Sequence, residues 1–212
     1  MKLKQIEQQI GTLSNNSKMP GLSWEIPAEE CNVGTKLREI PNSVCSTCYA
    51  LKGFYKTYAK TIKPAQYKRL EALELGDGWV SLMTTLISKR TKIPYFRWFG
   101  SGDLQSVRHL EMIVEVCRNL PDISFWLPTR EVRFVVDYQK KHGSLPSNLN
   151  VRISGAMVDG PAPTVPGCTS SVVSTSDRSD ATNCPARHQN NACGNCRACW
   201  KSDVAVVSYH KH

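Results

Sequence analysis

The sequence predicts an α/β fold: a largely parallel sheet wound as an open, partial β/α barrel, with a cysteine-rich segment at its C-terminal end. Three observations carry this reading. Short apolar strands alternate with helical patterns through the middle of the chain. The connections between them are short, which implies parallel neighbours joined by right-handed crossovers. Five or six strands are expected from 212 residues, whereas a closed eight-stranded barrel takes about 250.

Residues 2–10 suit a short helix, and Asn15-Asn16-Ser17 with Pro20-Gly21 marks a loop. Leu22–Ile26 alternates between Gly21 and Pro27 and reads as the first strand. A long loop follows, carrying Cys31, Cys45 and Cys48. Pro64 suits the first position of a helix whose Tyr67, Leu70, Leu73 and Leu75 fall near helical spacing, ended by Gly76-Asp77-Gly78. A second apolar helix is expected from Trp79 to Lys89. Tyr95–Phe99 is an aromatic strand closed by Gly100-Ser101-Gly102-Asp103. Residues 106–119 form a helix with Leu110, Ile113, Val114 and Cys117 on one face. Strand 123–127, helix 131–142 stopped by Gly143, and strand 149–153 follow. Ser171–Ser174 and Val204–Val207 complete the strands. Residues 1–180 are thus expected to form the core, and 181–212 the cysteine-rich segment with the last strand.

No apolar run approaches a membrane span, and the polar start Met1–Ile6 has no signal-peptide core, so a cytoplasmic protein is expected. Nine cysteines are many for such a protein, and an odd number cannot all pair within one chain. In a reducing compartment, clustered cysteines point to metal. The net charge of +9 is in part a solvated surface, and it also suits a nucleic acid or an anionic small molecule as partner.

The strongest signal is Cys184-x8-Cys193-x2-Cys196-x2-Cys199. Three cysteines stepping by three let one loop wrap a four-iron, four-sulfur cluster, as in ferredoxin-type loops. The alternative is a four-cysteine zinc knuckle. Arg187, Arg197 and Lys201 would offset thiolate charge, and Gly194 allows tight turning. The second group is Cys31-x13-Cys45-x2-Cys48. Three thiolates on a four-iron cluster leave one iron open, and zinc completed by Cys168 or a histidine is the alternative. Cys117 reads as core and Cys168 as a spectator.

Gly100, Ser101, Gly102 and Asp103 make a corner at a strand's carboxyl end, where a ligand would meet backbone; a simple helix cap is the competing reading. Trp24, Trp98, Trp126, Tyr95, Phe96 and Phe125 read mainly as sheet core, with a base-stacking platform as the alternative. Arg97 and Arg152 interrupt apolar strands and need partners, for which Glu131, Asp177 or an anion in the barrel interior are candidates. The five histidines form no ligand motif, and His210 and His212 are expected to be solvated.

Two family resemblances follow from these residues. A cysteine loop after the first strand, with Cys45-x2-Cys48 and Tyr49, and a Gly-rich acidic corner after a later strand, resemble the radical S-adenosylmethionine (SAM) enzymes. The resemblance implies that Gly100–Asp103 hold the SAM amino group and that Ser154 lies near its ribose. It also implies that Cys184, Cys193, Cys196 and Cys199 carry an auxiliary cluster. The second resemblance covers most of the chain. Cys45-Ser46-Thr47-Cys48-Tyr49-Ala50-x2-Gly53-x-Tyr55, Phe96–Asp103, Trp126–Glu131 and Cys193-Gly194-x-Cys196-Arg197-Ala198-Cys199-Trp200 look like the bacteriophage gene-product-88 family. This implies a phage origin and no particular activity.

Overall fold

A computed structural model describes residues 1–211. The chain opens with helix α1 (Leu3–Ile10), strand β1 (Leu22–Trp24) and helix α2 (Asn32–Arg38). Helices α3 (Gly53–Thr57), α4 (Ala59–Glu71) and α5 (Asp77–Arg90) follow. Then come β2 (Tyr95–Trp98), α6 (Val107–Asn119), β3 (Ser124–Thr129) and α7 (Val132–His142). The chain ends with β4 (Leu149–Val158), β5 (Thr169–Ser174), β6 (Thr182–Asn183) and β7 (Val206–His210).

Seven strands therefore replace the five or six expected. The addition is β6, whose two residues are too few to show a period. The cysteine loop also holds more structure than expected: α2, α3 and three short 3₁₀ turns. Pro64 does not start its helix but lies inside α4, whose first turn forms when Thr61 and Ile62 donate to the Tyr58 carbonyl.

Every strand pair is parallel, in the order β1-β2-β3-β4-β5-β7-β6. β1 and β6 are the two edges. Up to β5 the order follows the chain, as in singly wound sheets, with no mid-sheet reversal of the doubly wound kind. The two edges are also linked through their loops, because the Cys193 amide donates to the Lys18 carbonyl (2.8 Å).

Strand alternation sorts the side chains onto two faces. Phe96, Trp98, Phe125, Leu127, Val151 and Ile153 face the helices and form one core with residues of α1, α5, α6 and α7. Trp24, Trp98, Phe96 and Phe125 are fully buried there, as is Cys117, in keeping with its core reading. On the other face stand Tyr95, Arg97, Trp126, Asn150 and Arg152. The C-terminal segment covers that face: Trp126, Cys199, Trp200 and Val207 make a second apolar cluster, with Tyr95, Cys184 and Tyr209 against it. Trp200 donates its indole N–H to the Phe96 carbonyl (2.9 Å).

Arg152 anchors this covering. Its guanidinium donates to the carbonyls of Ser170 (2.6 Å), Ala198 (3.1 Å), Lys201 (3.2 Å) and Val204 (3.1 Å). The carboxylate partner expected for Arg152 is therefore corrected to main-chain oxygens. Glu131 turns away to α2, and Asp177 pairs with Arg187 (3.0 Å). Among the described residues Arg97 likewise has no carboxylate partner, and it lies over the Trp126 ring at 4.4 Å. No helix among the described residues is long and apolar enough to cross a membrane. His212 lies outside the described residues.

Candidate metal centre and the cavity beside it

The first cysteine group is built by short local turns. Ser43 caps the 3₁₀ turn Val44–Thr47 by accepting from the Ser46 amide (3.0 Å), which fixes Cys45 in a buried position. The loop is pinned to β4, where the Val158 amide donates to the Asn42 carbonyl (3.1 Å). Cys31 is the residue before α2, and Glu131, the residue before α7, accepts from the Val33 amide in the first turn of α2 (2.8 Å). A Cβ on Gly34 would stand 3.6 Å from the Cys31 sulfur and 3.7 Å from the Cys45 sulfur, so both sulfurs border this glycine.

Burial is the main cause that raises the Cys31 thiol far above its ordinary range, with Asp103, Cys48 and Cys45 adding to it. Burial also raises Cys45, against the pull of Arg130 and Arg38. Buried thiols of this kind ionise when a cation joins them, which is the condition a metal meets. Arg38 and Arg130 stand close enough to offset part of the resulting negative charge.

The Gly100–Asp103 corner lies beside this group. The Tyr49 hydroxyl, next to Cys48, donates to the Gly100 carbonyl and joins loop to corner. Asp103 is buried and accepts three hydrogen bonds: Leu104 N–H (2.8 Å) and Thr129 hydroxyl (2.5 Å) at one oxygen, Arg130 N–H (2.9 Å) at the other. Burial outweighs these bonds and raises its carboxyl. With about four acceptor sites on a carboxylate, one site on the second oxygen is left for a ligand. Ser101 is engaged too, donating to the Ile26 carbonyl (2.9 Å) and accepting from Gln66 (2.7 Å). The space that glycine leaves at this corner is used by the chain itself. A Cβ at Gly100 would meet the Glu25 carboxylate at 2.2 Å, and one at Gly102, where φ is +76°, would meet Ile26 at 2.3 Å.

The second group comprises Cys184, Cys193, Cys196 and Cys199; burial is the main cause that raises the Cys184 and Cys193 thiols, with their neighbouring cysteines adding to it. The Cys184 amide pairs with the Ser208 carbonyl (2.8 Å), and Cys196 N–H with the Cys193 carbonyl (2.9 Å). Burial pushes the Cys199 thiol up to about 11, while its 3.1 Å contact with the Tyr209 hydroxyl and the nearby Arg152 and Arg97 act the other way. Arg197 donates to the Gly194 (2.7 Å) and Cys196 (2.8 Å) carbonyls.

A cavity of about 790 Å³ is lined by Cys31, Cys45, Cys48, Gly100, Ser101, Gly102, Asp103 and Ser154, with Cys184 of the second group also on its wall. Ser154 is reached by the Ser171 hydroxyl at 3.3 Å. Cys117 and Cys168 are not on this wall. Cys168 packs on the main core instead. Among the described residues, no three His, Cys, Asp or Glu side chains converge tightly enough to hold a single metal ion.

Arg38, Glu25 and Tyr55 also line the cavity and were not read as its residues from sequence, whereas Arg97, expected to face the barrel interior, lines it too. Nothing local in the sequence places the first three, since each arrives from a different element. No curated protein and no solved structure matches the chain. The resemblance to radical SAM enzymes thus gains no support from relatives. The profile of one family does match, over residues 1–202, a span that includes both cysteine groups and every strand except β7. The chain belongs to the Gene product 88 family.

Proposed function

We propose that this protein is an iron–sulfur enzyme of the SAM-cleaving kind, with Cys31, Cys45 and Cys48 as the ligands of an open four-iron cluster. Cys184, Cys193, Cys196 and Cys199 are then the ligands of a second, fully ligated one. The observation that carries this reading is the shared cavity: three thiols, the Gly100–Asp103 corner and Ser154 line one chamber at the carboxyl edge of a parallel sheet. The chain-order strands and the Lys18–Cys193 link support an open barrel around that chamber.

Held by Cys31, Cys45 and Cys48, a reduced open cluster would supply the one electron that splits SAM into methionine and a 5′-deoxyadenosyl radical. The chain's own residues do the rest. Arg38 and Arg130 balance thiolate charge on one group, as do Arg97, Arg152 and Arg197 on the other. The free acceptor site of Asp103 suits an ammonium, and Ser154 suits a ribose hydroxyl. Trp126, Trp200 and Tyr209 exclude water from the sheet side.

The test is purification without oxygen. Brown protein with iron and sulfide, whose electron paramagnetic resonance signal shifts on adding SAM and which yields 5′-deoxyadenosine on reduction, is the expected result. Colourless protein with stoichiometric zinc would overturn the reading and leave closed structural sites in its place.

A further inference from the structure

The segment between Glu39 and Glu71 contains no acidic residue, yet it holds Lys52, Lys56, Lys60, Lys63, Lys68 and Arg69. Among the described residues only Lys63 of these lysines has a carboxylate partner, Glu29. Three aromatic side chains are exposed in the same segment: Tyr49, whose hydroxyl is tied to the Gly100 carbonyl, and Phe54 and Tyr58, whose rings have no such tie. Phe54 is 77% exposed and Tyr58 55%, and the rings stack in parallel, 5.9 Å apart with an interplanar angle of 5°. Neither ring is buried by the core, so the stacked pair forms a contiguous exposed apolar patch among unpaired lysines.

Phe54 is on the rim of the cavity described above, so the basic segment leads into it. The cavity wall continues the same charge, with Lys18, Arg38, Arg97, Arg130, Arg187 and Lys211. Its acids among the described residues are Glu25 and Asp103, and both are held by the chain's own donors. The entrance therefore attracts a polyanion that also carries flat, unpaired rings.

We propose that the substrate is a single-stranded nucleic acid, its phosphates held along the acid-free segment and a base placed on the Phe54–Tyr58 rings at the cavity mouth. As the identification of a substrate, this rests on the catalytic reading of the cavity; as a binding surface it stands alone. Stacking of a base on an aromatic ring requires that the base be unpaired, which selects single strand over duplex. Two rings offer too little apolar area for a helix that lies in a membrane surface.

The experiment is fluorescence anisotropy with a labelled oligothymidine and a labelled oligouridine of twenty nucleotides, a duplex of equal length, and vesicles containing phosphatidylserine. It needs neither SAM nor reductant. Single strand should bind at about 50 mM salt and weaken as salt rises. Phe54→Ala, at a position too exposed to support the fold, should weaken it about tenfold, and Phe54→Ala with Tyr58→Ala further. Lys52→Gln, Lys56→Gln and Lys60→Gln together should flatten the salt slope by about two. Unchanged affinity in Phe54→Ala, equal binding of duplex or vesicles, or no retention at low salt would each overturn the proposal. Iron retained without oligonucleotide binding overturns this inference alone, whereas oligonucleotide binding by a protein that holds only zinc overturns the cluster reading alone.

Discussion

Gly34 stands inside α2, where alanine would normally be preferred by about 1 kcal/mol. Here a methyl group would meet the Cβ of Cys31 at 2.9 Å, closer than such carbons approach. Gly34→Ala should therefore displace Cys31 and reduce bound iron per chain, with a loss of about 1–2 kcal/mol from the crowding. Gly78→Ala is the control, because its nearest neighbour would be the Leu75 Cβ at an ordinary 3.8 Å, and it should leave iron content untouched. The two kinds of cysteine separate in the same assay. Cys196→Ser should release metal and destabilise the protein, since metal affinity contributes directly to folding. Cys117→Ser, on the buried face of α6, should keep its metal; metal loss in that variant would contradict its placement.

At the scale of elements, α6 and α7 are joined on the surface by Glu111. It accepts from Lys141 (2.8 Å) and His142 (2.7 Å) in the last turn of α7, and Arg108 lies 3.5 Å away. The Lys141 hydrogen bond, with help from His142 and Arg108, holds the Glu111 carboxyl down to about 2. A depressed carboxyl stabilises the fold fully above its unfolded value near 4.5, and that contribution is lost as pH falls towards 2. The partners are exposed, so Glu111→Gln should cost only about 1 kcal/mol at neutral pH. The difference in urea midpoint between variant and parent should shrink between pH 5 and 2, and a difference constant over that range would exclude the ionic origin. Most of these elements were legible from period and punctuation. α4 was misplaced because Pro64 was read as a start signal, while the preceding turn had already formed around the Tyr58 carbonyl.

Across the whole molecule, Arg152 decides where the C-terminal segment lies. It is fully buried, and one guanidinium serves four carbonyls from β5 and the segment 198–204. Arg152→Met should remove the guanidinium's bonds to all four oxygens, of which Ala198 and Lys201 keep a donor in the Lys201 amide (3.2 Å) and the Asn150 side chain (3.1 Å), and should cost about 3 kcal/mol. Limited proteolysis should then cut within residues 181–203 while the helix-covered face stays resistant. Arg152→Lys should fall between the two, since an ammonium has fewer donors and no planar fork. Equal protease resistance in all three proteins would show that the segment is held by its apolar cluster alone.

The sequence by itself determined the parallel alternation of strand and helix, the two cysteine groups and the burial of Cys117. These are local properties: side-chain period, turn residues and cysteine spacing act within about ten residues. Only the tertiary structure decided that the cysteine-rich segment lies across the open face of the sheet, that Arg152 holds it through main-chain oxygens, and that Glu25 and Ile26 fill the space beside Gly100 and Gly102. It also decided that Phe54 reaches the rim of the cavity lined by Cys31, Cys45 and Cys48. Strand alternation states that a face is apolar or polar, but not which distant segment covers it. That choice depends on contacts between residues fifty or a hundred positions apart, such as Arg152 with Val204 and Trp200 with Phe96, whose partners no local pattern specifies.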